Sequence, residues 1–217
     1  MNARSRAQSA AGWLAAERHI VIAFAITSAL GVASASLASP PLDSPQIEAI
    51  RTKLLRLPYY GVFDFLMFAY DKGTVTLSGS VFHAPLKTDA ERAVKQVAHV
   101  DHVVNDIEVL PTSLMDDDLR WRTFYAIYTD PFLSRYAPGG GMLWGHRHRV
   151  PRVPFGSARR FPGVEPVGNY PIAIIVKHGH ITLMGIVDNE SDKTMAGMKA
   201  REVSGAFGVE NELTVHQ

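Results

Sequence analysis

Two His-x-His pairs, His146/His148 and His178/His180, are the residues of this 217-residue chain that come nearest to a metal site. In a strand, that spacing turns both imidazoles to one side, and two such pairs could supply the four ligands of a tetrahedral zinc. Their surroundings argue otherwise. His146 and His148 lie among Arg147, Arg149 and Arg152, whose positive charge opposes a divalent cation. His178-Gly179-His180 has the composition of a hairpin turn, and the matching turn earlier in the chain, Lys72-Gly73-Thr74, holds no ligand. No metal is therefore assigned. Asp116-Asp117-Asp118 suits the positive end of a helix dipole better than a loosely held calcium or magnesium ion. No serine sits in a nucleophile elbow, so no catalytic residue and no cofactor is assigned. The absence of cysteine removes disulfides and thiolate metal sites.

A stretch of different chemistry lies between Gly139 and Asn169. It carries Arg147, Arg149, Arg152, Arg159 and Arg160 against a single acid, Glu165, in a chain whose whole net charge is +1. The rest of the chain is therefore net acidic. Met142, Leu143, Trp144, Phe155 and Phe161 are interleaved with the arginines. Arginines gather anionic headgroups, tryptophan favours the membrane interface, and each basic residue near an anionic surface contributes about 1 kcal/mol. Trp144, Arg147, Arg149, Arg152, Phe155, Arg159, Arg160 and Phe161 are the candidate contacts to lipid or to a partner. The alternative is a solvated loop, or one that packs on its neighbouring domain. Stacking on single-stranded nucleic acid would use the same residues. The secretory signal described below and the near-neutral net charge argue against a nucleic-acid partner.

The elements that position these residues are legible from a repeat. Gly73-Thr-Val-Thr-Leu-Ser-Gly79-Ser-Val81 aligns with Gly179-His-Ile-Thr-Leu-Met-Gly185-Ile-Val187. The same offset then carries Ala90 onto Ala196, Val97 onto Val203, Asn105 onto Asn211 and Val109 onto Val215. A constant offset across strands and a helix means that a folded unit is duplicated. In the first copy, Ser44-Pro45 opens a helix whose Ile47, Ile50 and Leu54 share a face. A strand follows through Leu66, Phe68 and Tyr70, then a turn at Asp71-Lys72-Gly73 and an alternating strand from Val75 to Val81. The spacing predicts a helix over 88–97 and a strand over 103–109. The second copy repeats this order: a helix through Leu119, Thr123 and Ile127, strands over 172–176 and 181–187, a helix over 191–203 and a strand over 209–215. It differs by a Gly/Pro-rich insertion at about residues 137–169, too long and too aperiodic for an ordinary connection.

Arg4, Arg6 and Arg18 precede the apolar run Ile20–Leu30, and Ala33-Ser34-Ala35 and Ser36-Leu37-Ala38 follow it. This is the pattern of a secretory signal, so residues 1–38 are expected to be a signal peptide or an uncleaved anchor that leaves the remainder beyond the cytoplasmic membrane. The domains expected are 44–111 and 115–217. Hydrophobic and charged contents of 47% and 20% are those of an ordinary folded protein.

The two copies resemble the BON domain family (bacterial osmotically induced and nodulation domain). The resemblance rests on a strand with a central glycine, Gly79 and Gly185, a helix, and then a stretch ending in asparagine. That stretch is His99-Val-Asp-His-Val-Val-Asn105 in the first copy and Gly205-Ala-Phe-Gly-Val-Glu-Asn211 in the second. His99 stands where the family usually has glycine. The resemblance implies an α+β fold of two tandem α-β-β-α-β domains, each a three-stranded sheet packed by two helices, and a periplasmic or other envelope location. It also implies a non-enzymatic role in phospholipid membrane association or envelope maintenance under stress. A scaffold for a small ion or a protein partner is the alternative. Read from the residues alone, Gly79 and Gly185 serve close packing or a bulge, and Asn105 and Asn211 cap a turn. Each copy is expected to leave an edge strand open to pairing.

Overall fold

In the computed structural model, which describes residues 45–138 and 166–216, the order helix-strand-strand-helix-strand occurs twice. The first copy comprises α1 (Pro45–Leu55), β1 (Phe65–Asp71), β2 (Thr74–Val81), α2 (Ala84–Val94), β3 (His102–Asn105) and β4 (Glu108–Val109). The second comprises α3 (Leu114–Tyr128), a 3-10 turn (Leu133–Tyr136), β5 (Ile172–Lys177), β6 (His180–Val187), α4 (Glu190–Arg201) and β7 (Gly208–Val215).

Local chemistry sets the boundaries. Pro45 begins α1, where a missing N–H costs nothing. α2 starts four residues earlier than its apolar spacing predicts, because Pro85 pre-sets the first turn and His83 is extended as its N-cap. Ser113 and Asn189 cap α3 and α4, their side-chain oxygens accepting from the N–H groups of Asp116 and Asp192. Lys72-Gly73 and His178-Gly179 form the hairpin turns, all four at positive φ.

Each sheet pairs its first two strands antiparallel and its last strand parallel to the second. Leu77 faces Phe68 on one side and Asn105 on the other, and Leu183 faces Ile174 and Asn211 in the same way. The expected single last strand holds in the second copy. In the first it breaks at Asp106-Ile107 into β3 and β4, both of which pair with β2.

Two cores result. Ile50, Leu77, Leu86, Ala90 and Ile107 fill the first, and Leu119, Ile127, Ile174, Leu183 and Ala196 the second. Each fully buried aliphatic side chain contributes about 1.5–3 kcal/mol. The second core also takes Val62 and Phe63 from the first copy. Their segment is stitched to the second copy by a Gly61–Val167 bridge and by three backbone bonds: Val62 N–H to Pro166 O (3.1 Å), Gly168 N–H to Tyr60 O (2.9 Å) and Ile174 N–H to Val62 O (2.8 Å). Phe63 stands edge-on to Trp121, with ring centroids 5.6 Å apart, and Lys177 pairs with Glu108.

Candidate functional site

The junction between the copies gathers buried charge. Asp64, just before β1, accepts from the N–H groups of Phe82 (2.7 Å) and Gly61 (2.9 Å). Burial outweighs these donors and the nearby His83 and Arg120, and pushes the Asp64 carboxyl up to about 6. Beside it, the Arg120 guanidinium lies 4.8 Å above the Phe82 ring. It donates to Val176 O (2.7 Å) and to Asp117. Burial lowers its pKa, against the pull of Asp117, Asp116 and Asp64. Burial is also the main reason that the Tyr60 hydroxyl is pushed up to about 12, with the Asp64 charge second.

Asp116 is buried and turns away from α3, accepting from the N–H groups of Gly179 (2.7 Å) and His178 (3.0 Å) at the hairpin turn. Asp118 pairs with Arg122. All three aspartates of the run are therefore engaged by donors of the fold. A second cluster lies at the end of β6. Tyr136 Oη accepts from Asp188 N–H (2.8 Å) and donates to Asp192 (2.6 Å), which also holds Arg135 and the Asn189 amide. Asp188 is the repeat equivalent of Phe82. The same backbone N–H is thus held by a carboxylate in one copy and a phenol in the other.

The repeated asparagines do equivalent work. Asn105 Nδ2 donates to Lys87 O (2.8 Å), and its Oδ1 accepts from Ile107 N–H. Asn211 donates to Lys193 O (2.7 Å) and accepts from Leu213 N–H. Each amide ties the last strand to the second helix of its copy and folds its own strand into an Asx-type contact. Gly79 and Gly185 have φ of 112° and 123°, and a Cβ at either would run into a carbonyl oxygen across the strand pair, that of Phe65 in β1 or of Pro171 just before β5. The crowding comes from an adjacent strand and not from a helix lying on the sheet. His99 adopts φ 65°, the left-handed conformation that Gly205 holds in the second copy.

Trp144, Arg147, Arg149, Arg152, Phe155, Arg159, Arg160 and Phe161 lie outside the described residues, as do His146 and His148. The described frame stops at Pro138 and resumes at Pro166. Pro138 and Asn169 share a groove of about 470 Å³ with Arg135 and Asp188. Nearby, Phe132 and Val167 are 64% and 54% exposed. His178 and His180 flank a tight turn, and among the described residues no three His, Asp or Glu side chains converge on a metal position. Among them, too, no helix is long and apolar enough to cross a membrane.

Asp64, Asp192 and Tyr136 carried no sequence signal, since each acts through distant partners. Arg120 carried one. It falls on the helical face of Thr123 and Ile127, where a cation is out of place unless something buried receives it. The grooves along α1 and α2, beside β1 and at Pro138 do not reach Asp64 or Arg120. Of these buried charges, Arg120 links the copies, through the Phe82 ring and the nearby Asp64.

No curated protein matches the chain. Two solved structures of CdsD, a structural protein of the type III secretion system of Chlamydia trachomatis, are similar to it. One, the C-terminal domain, is 12% identical with a TM-score of 0.26, over 80% of this chain and 98% of that one. The other is 13% identical with a TM-score of 0.24, over 78% and 91%. A model of the BON domain matches residues 43–111 and 158–217. With two matched segments that together cover more than half of its length, the chain belongs to the BON domain family.

Proposed function

We propose that this is a non-enzymatic, exported envelope protein that associates with anionic phospholipid membranes through the insertion that precedes β5 in the second domain. The family is linked to membrane and phospholipid association. The observation that carries the reading is the concentration of charge: five arginines and only one acid between Gly139 and Asn169, interleaved with Trp144, Phe155 and Phe161, in a chain that is otherwise net acidic. The buried acids and Arg120 are engaged within the fold, so the frame serves as a rigid mount. The insertion supplies the arginine and aromatic chemistry that an anionic interface rewards.

The test is co-sedimentation of the full chain with anionic and with neutral vesicles, at low and high salt. A second protein would carry Arg147, Arg149, Arg152, Arg159 and Arg160 all as alanine. Binding to anionic vesicles that weakens with salt and with the five substitutions is the expected outcome. Equal binding by the substituted protein, or no binding by either, would overturn the reading.

A further inference from the structure

We propose that the outer edge of β1 is a self-pairing surface, on which a second copy of this chain adds its own β1 antiparallel to form a two-fold dimer. The inference is independent of the membrane reading. It rests on what the second domain does with the equivalent edge. On β5 the outward backbone groups are those of Ile172, Ile174 and Val176. All three residues are engaged: Ile172 O accepts from the Tyr128 hydroxyl, Ile174 N–H donates to Val62 O, and Val176 O accepts from Arg120. The side chains of these three residues are fully buried.

The register makes Leu66, Phe68 and Tyr70 the counterparts on β1. The helix positions that supply Tyr128 and Arg120 in the second copy hold Leu55 and Ile47 in the first, whose aliphatic side chains carry no donor. The Tyr60 hydroxyl lies near the Leu66 backbone. Among the described residues, no hydrogen bond is made to the outward backbone groups of Phe68 and Tyr70. Leu66, Phe68 and Tyr70 are left only partly buried against the first core. Beside them a groove of about 370 Å³ is lined by Leu54, Leu55, Phe65, Met67 and Ile186.

A second copy fits this edge in chemistry and in symmetry. Antiparallel pairing about Phe68 sets Phe68 against Phe68 of the second copy and Leu66 against Tyr70. These are hydrogen-bonded pairs whose side chains complete each other's core face. The Phe68 pair and the Tyr70 N–H to Leu66 carbonyl bonds form without displacing Tyr60. The strand's single charge, Asp71, comes to lie opposite Phe65, in the groove that Arg51 lines. Such a contact is isologous and closes at two copies. The other open edges are ill suited to it. β3 and β4 are short and interrupted, while β7 carries Glu210 and Glu212 and spends Leu213 N–H on Asn211.

The experiment is sedimentation equilibrium of the full chain without lipid, from nanomolar to high micromolar concentration, on the wild type and on Phe68→Pro. Proline at this position removes an N–H that points away from β2 and leaves the β1–β2 ladder intact. We expect a dimer whose dissociation constant rises about tenfold or more in Phe68→Pro. Because the chain has no cysteine, the register is tested separately with Met67→Cys and Ala69→Cys, both on the face away from the core. In the proposed pairing these positions face each other as a close, non-hydrogen-bonded pair. Mixing the two single variants under oxidation should give a disulfide-linked dimer in far higher yield than either alone. A monomer at every concentration, or a dimer that gives no 67–69 cross-link, would overturn the proposal.

Discussion

Where the first domain buries Ile47, 3% exposed, the second buries Arg120, 1% exposed. The two positions are equivalent on the first helix of each copy, and both face inward. Ile47 completes an ordinary apolar core. Arg120 instead donates to Val176 O in its own domain and lies over the Phe82 ring of the first, close to the Asp64 charge. The equivalent position thus fills a core in one copy and joins the two copies in the other. The neighbouring positions changed in the same sense. Tyr128, opposite Leu55, caps β5, and Tyr136 does for Asp188 what Asp64 does for Phe82. Among the described residues, the second domain thereby closes its edge with two side chains and the Val62 carbonyl, and the first leaves the outward groups of Phe68 and Tyr70 without a hydrogen bond.

This contrast can be broken experimentally, the largest effect coming where the copies agree. Gly79→Ala and Gly185→Ala each force a Cβ against a strand carbonyl at positive φ. Each should lower unfolding stability by about 3 kcal/mol or more, measured by urea titration. If one tolerates alanine, the copies do not share the strand-to-strand crowding that their backbones show. Next comes Arg120→Ile, which gives the second domain the residue of the first. It should cost about 3 kcal/mol, because Asp64 and Asp117 lose their cation and Val176 O its donor. Adding Asp64→Asn should recover part of that loss in a double-mutant cycle; strict additivity would mean that the two groups are not coupled.

The pH dependence isolates Asp64 alone. Its folded value of about 6 lies above the ordinary 3.8 of the unfolded chain. Between those values the folded state holds the extra proton. The group's contribution to stability is therefore fully present below about pH 4 and is lost as pH rises to about 6. The difference is about 2–3 kcal/mol for this buried group. Thermal melts of wild type and Asp64→Asn between pH 4 and 7 should diverge with that sign, and parallel curves would refute the assignment. The smallest effects should be those of the asparagines: about 1 kcal/mol for Asn211→Ala and somewhat more for Asn105→Ala, because Asn105 also donates to Glu91 Oε2 (3.1 Å) and the matching position in the second copy is Gly197.

The repeat made most of the elements readable in advance. Alternation located the strands, and the constant offset transferred each assignment from one copy to the other. Helix ends were less legible. α2 begins at Ala84 because proline is welcome in a first turn, whereas apolar spacing starts to count only after it. The break at Asp106-Ile107 was hidden because Val103, Val104, Ile107 and Val109 read as one apolar run. The junction was the least visible part. Val62 and Phe63 look like a loop belonging to the first domain, and only the three-dimensional arrangement assigns them to the second core. The eight lipid-contact candidates were chosen from composition, and the described frame fixes only where their segment begins and ends.

The loan of Val62 and Phe63 to the second core also has a consequence in time. During synthesis the first domain emerges first, with these two apolar side chains already committed to a core that does not yet exist. The ring partners of Phe63, Trp121 and Phe124, follow about sixty residues later, and the backbone partners of Val62, Pro166 and Ile174, only after about a hundred, which is roughly 5 to 20 s at ordinary translation rates. Until those partners arrive Val62 and Phe63 lack the core that covers them, and a chaperone that binds short apolar segments would find its target there.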